Sequence, residues 1–129
     1  MKTPENLKYA KTDEWVKMDG NLATLGISDY AQDQLSDIVY IEFAKDAGDS
    51  IAKDEIISTI ESVKAAGDVV APFSGKIIEV NESLADKPEL INSDPYGIAW
   101  IYKIEVNDST GYDSLMNASE YESYCVGRH

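Results

Sequence analysis

One stretch of the chain concentrates residues arranged for chemistry: Glu61-Ser62-Val63-Lys64-Ala65-Ala66-Gly67-Asp68. It joins an apolar segment ending near Glu61 to a second one starting near Val69, which places Lys64 at the tip of a hairpin. The small residues Ala65, Ala66 and Gly67 leave its ε-amine unobstructed. A modifying enzyme could reach that amine, and an attached group would swing beyond the surface. The plainer alternative is a solvated loop lysine, which is what most lysines are. Other chemistry has little material to work with. Cys125 is the single cysteine and His129 the single histidine, so no disulfide framework, thiolate metal cluster or imidazole-based dyad is expected. The 8 glycines are too scattered for a phosphate-cradling loop, and no Gly-x-Ser-x-Gly elbow occurs. With 24 acidic side chains some carboxylates must lie close together. That leaves open a small two-carboxylate hydrolase, although such chemistry needs a deep cleft that a short chain seldom builds.

The elements that must position Lys64 come from a chain of 129 residues, 43% of them hydrophobic, with 24 acidic against 11 basic side chains and a net charge of −13. This composition predicts one acidic domain, residues 1–129, with a core of its own. The charge disfavours phosphate backbones and anionic lipid, so neither nucleic acid nor membrane is an expected partner. No apolar run reaches membrane-spanning length. The opening residues Met1 to Asn6 carry neither an apolar signal stretch nor an Arg/Ser-rich transit pattern, which points to the cytoplasm.

Strands are expected at Glu14–Val16 and Leu22–Ile27, joined through the Asp19-Gly20 turn, which tolerates positive φ. Ser28 is placed to cap a short helix over Asp29–Leu35. The β-branched and aromatic run Ile38–Phe43 reads as a strand. Glu55–Glu61, Val69–Ala71 and Lys76–Asn81 follow between turns, the first two forming a hairpin over about 55–71. Residues 81–95, punctuated by Pro88 and Pro95, read as loop. Trp100, Tyr102, Ile104 and Val106 alternate with polar or outward residues and predict a strand with one buried face. Trp15 and Trp100 are expected as core anchors. A turn of helix at Asp113–Met116 and a helix begun by an Asn117/Glu120 capping box close the pattern, with Ala118, Tyr121 and Cys125 on its apolar stripe. Many short strands with frequent turns argue for a sandwich or barrel.

Glu61-Ser62-Val63-Lys64-Ala65 with Asp68, followed by Ala71-Pro72-Phe73-Ser74-Gly75, resembles the lipoyl-carrying H proteins of the glycine cleavage system. The resemblance extends from Leu7-Lys8-Tyr9 and Glu14-Trp15-Val16 through Asp37-Ile38-Val39-Tyr40, Pro88-Glu89-Leu90-Ile91-Asn92, Pro95-Tyr96 and Trp100 to Tyr121. It implies a mainly β, lipoyl-domain-type barrel-sandwich hybrid with short helices in the N-terminal region and at the C-terminal segment, about 113–125. It also implies a non-catalytic carrier with lipoate attached to Lys64, and a carrier that visits several enzymes is most simply a monomer. Glu61 would be read by the attaching enzyme, a lipoate ligase or an octanoyl/lipoyl transferase, and Glu14 and Asp68 would contact the loaded arm. The plainer roles for these two are a surface charge and a turn residue. The implied partners are a pyridoxal-phosphate glycine decarboxylase, a tetrahydrofolate-dependent aminomethyltransferase and dihydrolipoyl dehydrogenase. The location would be the cytoplasm, or the mitochondrial matrix for a processed eukaryotic form. A lipoyl relay to other enzyme complexes, or a regulatory lipoyl carrier, is the alternative within the same fold. Asp13 and Gln34 stand where such proteins often have histidine, Ser36 and Asp54 where glycine is common, Ala44 where proline is, and Ala99 where a glycine precedes Trp100.

Overall fold

Alternation of apolar and polar residues sets the first hairpin. Strands β2 (Glu14–Asp19) and β3 (Leu22–Ile27) pair antiparallel across a turn at Gly20 and Asn21, where Gly20 adopts a φ of 65° without strain. Preceding them, β1 (Lys8–Tyr9) pairs with β2, two residues that the sequence did not mark as a strand. The computed structural model describes residues 1–107 and 110–128, and His129 lies outside them.

Two antiparallel sheets form the body. One has six strands in the order β1-β2-β3-β9-β8-β5, where β5 is Ser50–Ile51, β8 is Gly75–Val80 and β9 is Tyr102–Val106. The other has three, β4-β6-β7, with β4 at Ile38–Phe43, β6 at Ile56–Ser62 and β7 at Ala66–Val70. Inward side chains of both sheets, among them Val16, Leu25, Ile41, Ile60, Val69 and Ile104, make one buried cluster. Its apolar burial is the main source of stability. The sheets keep free edges and do not close into a barrel, consistent with the expected sandwich hybrid.

Short helices hold the site's surroundings. Ser28 caps α1 (Asp29–Leu35), its hydroxyl accepting from the Ala31 N–H at 3.1 Å. Helix α5 (Ala118–Val126) begins with the expected capping box and buries Ala118, Tyr121 and Cys125 against Leu7, Tyr9 and Trp15.

Three expectations are corrected. Residues 81–95 are not all loop: α2 (Ser83–Asp86) and α3 (Leu90–Ser93) occupy part of them, each sinking one residue, Leu84 or Ile91, into the core. The helical turn near 113 lies earlier, as α4 (Thr110–Asp113), because Met116 exchanges backbone hydrogen bonds with Tyr9 at 2.8 Å. Trp100 is only half-buried: the chain turns between Gly97 and Trp100, β9 starts at Tyr102, and Ile101 takes the buried position. The Lys103 ammonium lies 4.7 Å from the Trp100 ring centre.

Candidate functional site

Antiparallel pairing of β6 and β7 sets the tip of the hairpin, with Glu61 opposite Ala66, Ile60 opposite Gly67 and Thr59 opposite Asp68. The strand resumes at Ala66 rather than near Val69, so Asp68 is a strand residue and not the turn residue of its plainer reading. Ser62 closes the turn. Its N–H donates to the Ala65 carbonyl at 2.8 Å, and its hydroxyl accepts from the N–H groups of Lys64 at 3.2 Å and Ala65 at 3.0 Å. The Val63 N–H donates to the Asp37 carbonyl at 3.0 Å, tying the tip to the segment before β4. Lys64 is thus held by its backbone while its side chain is exposed, and among the described residues its ammonium has no hydrogen bond or ion pair. The sequence offered Ser62 as part of the motif without a role. Its signal was a hydroxyl two residues before the tip, where such side chains stand in for backbone turn bonds.

The other three site candidates take separate places. Glu61 is exposed on the outer face of the three-stranded sheet, where it borders a shallow hollow with Tyr40, Glu42 and Thr59. Asp68 is also exposed, on the edge strand β7, with the Thr59 hydroxyl at 3.3 Å. Glu14 is fully buried, which overturns its reading as a surface charge. Its carboxylate accepts from the Thr12 hydroxyl and, at 3.1 Å, from the Val70 N–H, bridging β2 to the hairpin. Burial pushes this carboxyl up to about 7 against the opposing pull of those two hydrogen bonds.

Between α1, the β1–β2 turn and β7 lies a cleft of about 340 Å³. Ile27, Leu35 and Ile60 give it apolar walls, and Thr12, Gln34 and Asp68 give it polar ones. Gly67 lines it on the hairpin side opposite Leu35, and a Cβ there would just reach van der Waals contact with the Leu35 side chain, at 3.5 Å. Glu14 does not line the cleft but lies directly behind Thr12. Asp13 and Arg128 complete the rim as an ion pair, a partnership that the sequence gave no local sign of.

The arrangement matches known proteins over nearly its whole length. The family model described as glycine cleavage H-protein matches residues 7–127. The chain belongs to the glycine cleavage H-protein family. Among its relatives, the glycine cleavage system H protein of Thermotoga maritima is 48% identical over 92% of this chain and 95% of its own. The H protein 2, mitochondrial, of Arabidopsis thaliana is 47% identical over 94% of this chain and 77% of its own. The crystal structure of the H protein from Mycobacterium marinum superimposes with a TM-score of 0.84 at 31% identity, covering 93% of this chain and 96% of that one. As a member of the H-protein family, the chain is a lipoyl carrier of the glycine cleavage system. It is a non-catalytic component working with the other glycine cleavage proteins, and its lipoate is attached to a lysine.

Proposed function

We propose that Lys64 is the lipoylated residue and that the cleft beside α1 is where the loaded arm rests. The observation that carries this reading is the pairing of an exposed amine, unpartnered among the described residues, on a backbone-braced tip with a cleft opening along the same hairpin. From Lys64 to Asp68 the chain advances four residues, of which only those from Ala66 onward are extended, so the separation is at most about 13 Å at about 3.3 Å each. That span is of the order of an extended lipoyl-lysine side chain, about a dozen bonds. When attached, the lipoyl group supplies the disulfide that takes up the glycine-derived aminomethyl unit.

The chain's own residues do the rest. Ile27, Leu35 and Ile60 give hydrocarbon contact and shed water from the cleft. Asp68 accepts a charge-assisted hydrogen bond from a cationic amine brought there. Thr12 donates its hydroxyl proton to Glu14, which leaves the oxygen's lone pairs as acceptors at the cleft wall. Glu14 therefore acts from behind Thr12, by orienting that hydroxyl. Glu61, exposed beside Tyr40, is the side chain read by the attaching enzyme, a lipoate ligase or an octanoyl/lipoyl transferase.

In this reading residues 1–129 act as one carrier domain. It takes the aminomethyl group from the pyridoxal-phosphate glycine decarboxylase and delivers it to the tetrahydrofolate-dependent aminomethyltransferase, and dihydrolipoyl dehydrogenase reoxidises it. Tethering raises the effective concentration at each encounter. The compartment is the cytoplasm, or the mitochondrial matrix for a processed eukaryotic form. With purified decarboxylase, glycine-dependent exchange of labelled bicarbonate should require the lipoylated wild type and be abolished by Lys64→Arg. Exchange that persists in Lys64→Arg would refute the assignment.

A further inference from the structure

One polar chain joins the two walls of the cleft, and neither the lysine nor the arm contacts explain it. The Ala31 N–H donates to the Ser28 hydroxyl at 3.1 Å, and that hydroxyl lies 2.6 Å from the Tyr121 hydroxyl. Tyr121 donates its one hydroxyl proton to Asp13 Oδ1 at 2.8 Å, so Ser28 is the donor to Tyr121. Arg128 closes the chain with two donors on Asp13, Nη1 to Oδ1 at 2.5 Å and Nη2 to Oδ2 at 2.9 Å. The guanidinium also stacks 4.5 Å from the Tyr30 ring centre and 4.7 Å from that of Tyr124. Backbone bonds run in parallel, since the Ser28 N–H donates to the Asp13 carbonyl at 2.9 Å.

The placement of these groups gives the network a consequence for the cleft. Asp13 sits in the β1–β2 turn at a φ of 79°, next to Thr12, and Tyr30 lies in the first turn of α1. Both line the cleft together with Arg128. Arg128 thus grips the turn through Asp13 and α1 through Tyr30, and it is the only basic side chain on the cleft rim among the described residues. It also occupies both oxygens of Asp13. Asp68 is left as the carboxylate with only the Thr59 hydroxyl as partner among the described residues.

We propose that Arg128 is a positioning residue for the arm cleft: by clamping Asp13 and Tyr30 it fixes the spacing of the two walls and directs a cationic amine to Asp68 instead of Asp13. The proposal rests on the reading of the cleft as the arm's resting place. Loss of the clamp loosens the walls and admits water to the loaded arm. The reaction then favoured is hydrolysis, in which water adds at the methylene carbon and the C–S bond breaks to leave a thiol, after which the C–N bond breaks to release formaldehyde and ammonium.

The test compares Arg128→Gln, Arg128→Lys and Asn117→Ala with the wild type. Asn117→Ala removes the α5 capping box, away from the cleft, and serves as a control for general loosening of that helix. In unlipoylated protein, hydrogen exchange at the Ser28 and Ala31 amides should quicken about tenfold in Arg128→Gln, the equivalent of one charge-assisted hydrogen bond. It should be unchanged in Asn117→Ala. In the lipoylated, aminomethyl-loaded protein, ammonia release should rise by a similar factor in Arg128→Gln and less in Arg128→Lys, which keeps the charge but not the fork. Wild-type protection that survives intact in Arg128→Gln, or an equal effect from Asn117→Ala, would overturn the proposal. Release from the wild type as fast as from aminomethylated free lipoamide would instead overturn the cleft reading beneath it, and the exchange data would still judge the clamp.

Discussion

Replacing Glu14 by glutamine changes one charge at a buried position and keeps its shape, which makes the pH dependence of stability a direct test of its surroundings. In the unfolded chain this carboxyl ionises near 4.5, and in the folded protein burial raises it to about 7. Between those values the folded state holds a proton that the unfolded state has lost, so stability falls as pH rises. Below the lower value Glu14 contributes no pH dependence, and above the higher one its full cost is present. At about 1.4 kcal/mol per pH unit, the cost is about 3 kcal/mol. The Glu14→Gln side chain has no charge to bury and still offers an oxygen to the Val70 N–H. Urea unfolding of unlipoylated wild type and variant, at pH values from 4 to 8, gives the difference free of the other carboxylates, which both proteins share. The variant should gain on the wild type by about 3 kcal/mol across that range and then level off. A difference that stays flat, or that favours the wild type as pH rises, would refute the argument that burial outweighs the hydrogen bonds from Thr12 and Val70.

Two further outcomes follow from the same structure. Ser36 ends α1 at φ 69° and ψ −150°, a region nearly reserved for glycine, so Ser36→Gly should stabilise the protein by about 1–2 kcal/mol and raise its Tm by several degrees. Asn92 accepts from the Ile38 N–H at 2.9 Å and donates to Gln32 Oε1 at 2.9 Å and the Ser36 carbonyl at 2.8 Å, so Asn92→Ala should cost about 2–3 kcal/mol in urea unfolding by leaving these groups unpaired.

What the sequence made legible was local. The Ser28 cap, the Asn117/Glu120 capping box and the β6–β7 hairpin each depend on residues within a few positions of one another. The resemblance singles out Ser36 and Asp54 as positions where glycine is expected, and both hold positive φ, 69° and 73°. The short helices α2 and α3 were not legible, because each is a single turn beside a proline-marked segment and has no room for helical periodicity. The burial of Glu14 was hidden for another reason. A carboxylate in a strand reads as an outward charge, and only the third dimension brings the Val70 N–H to it. The grip of Arg128 on Asp13 joins residues far apart in the chain, and no spacing rule announces it.

The central claim is that this H-protein family member carries its lipoate on Lys64 and nowhere else. The direct measurement is intact mass with peptide mapping of protein made in lipoate-supplied cells, for the wild type and Lys64→Ala. The account predicts one lipoyl increment, located on the peptide containing Lys64 and missing from the variant. An unmodified Lys64 in the presence of a competent attaching enzyme, or an increment that persists in Lys64→Ala, would contradict it.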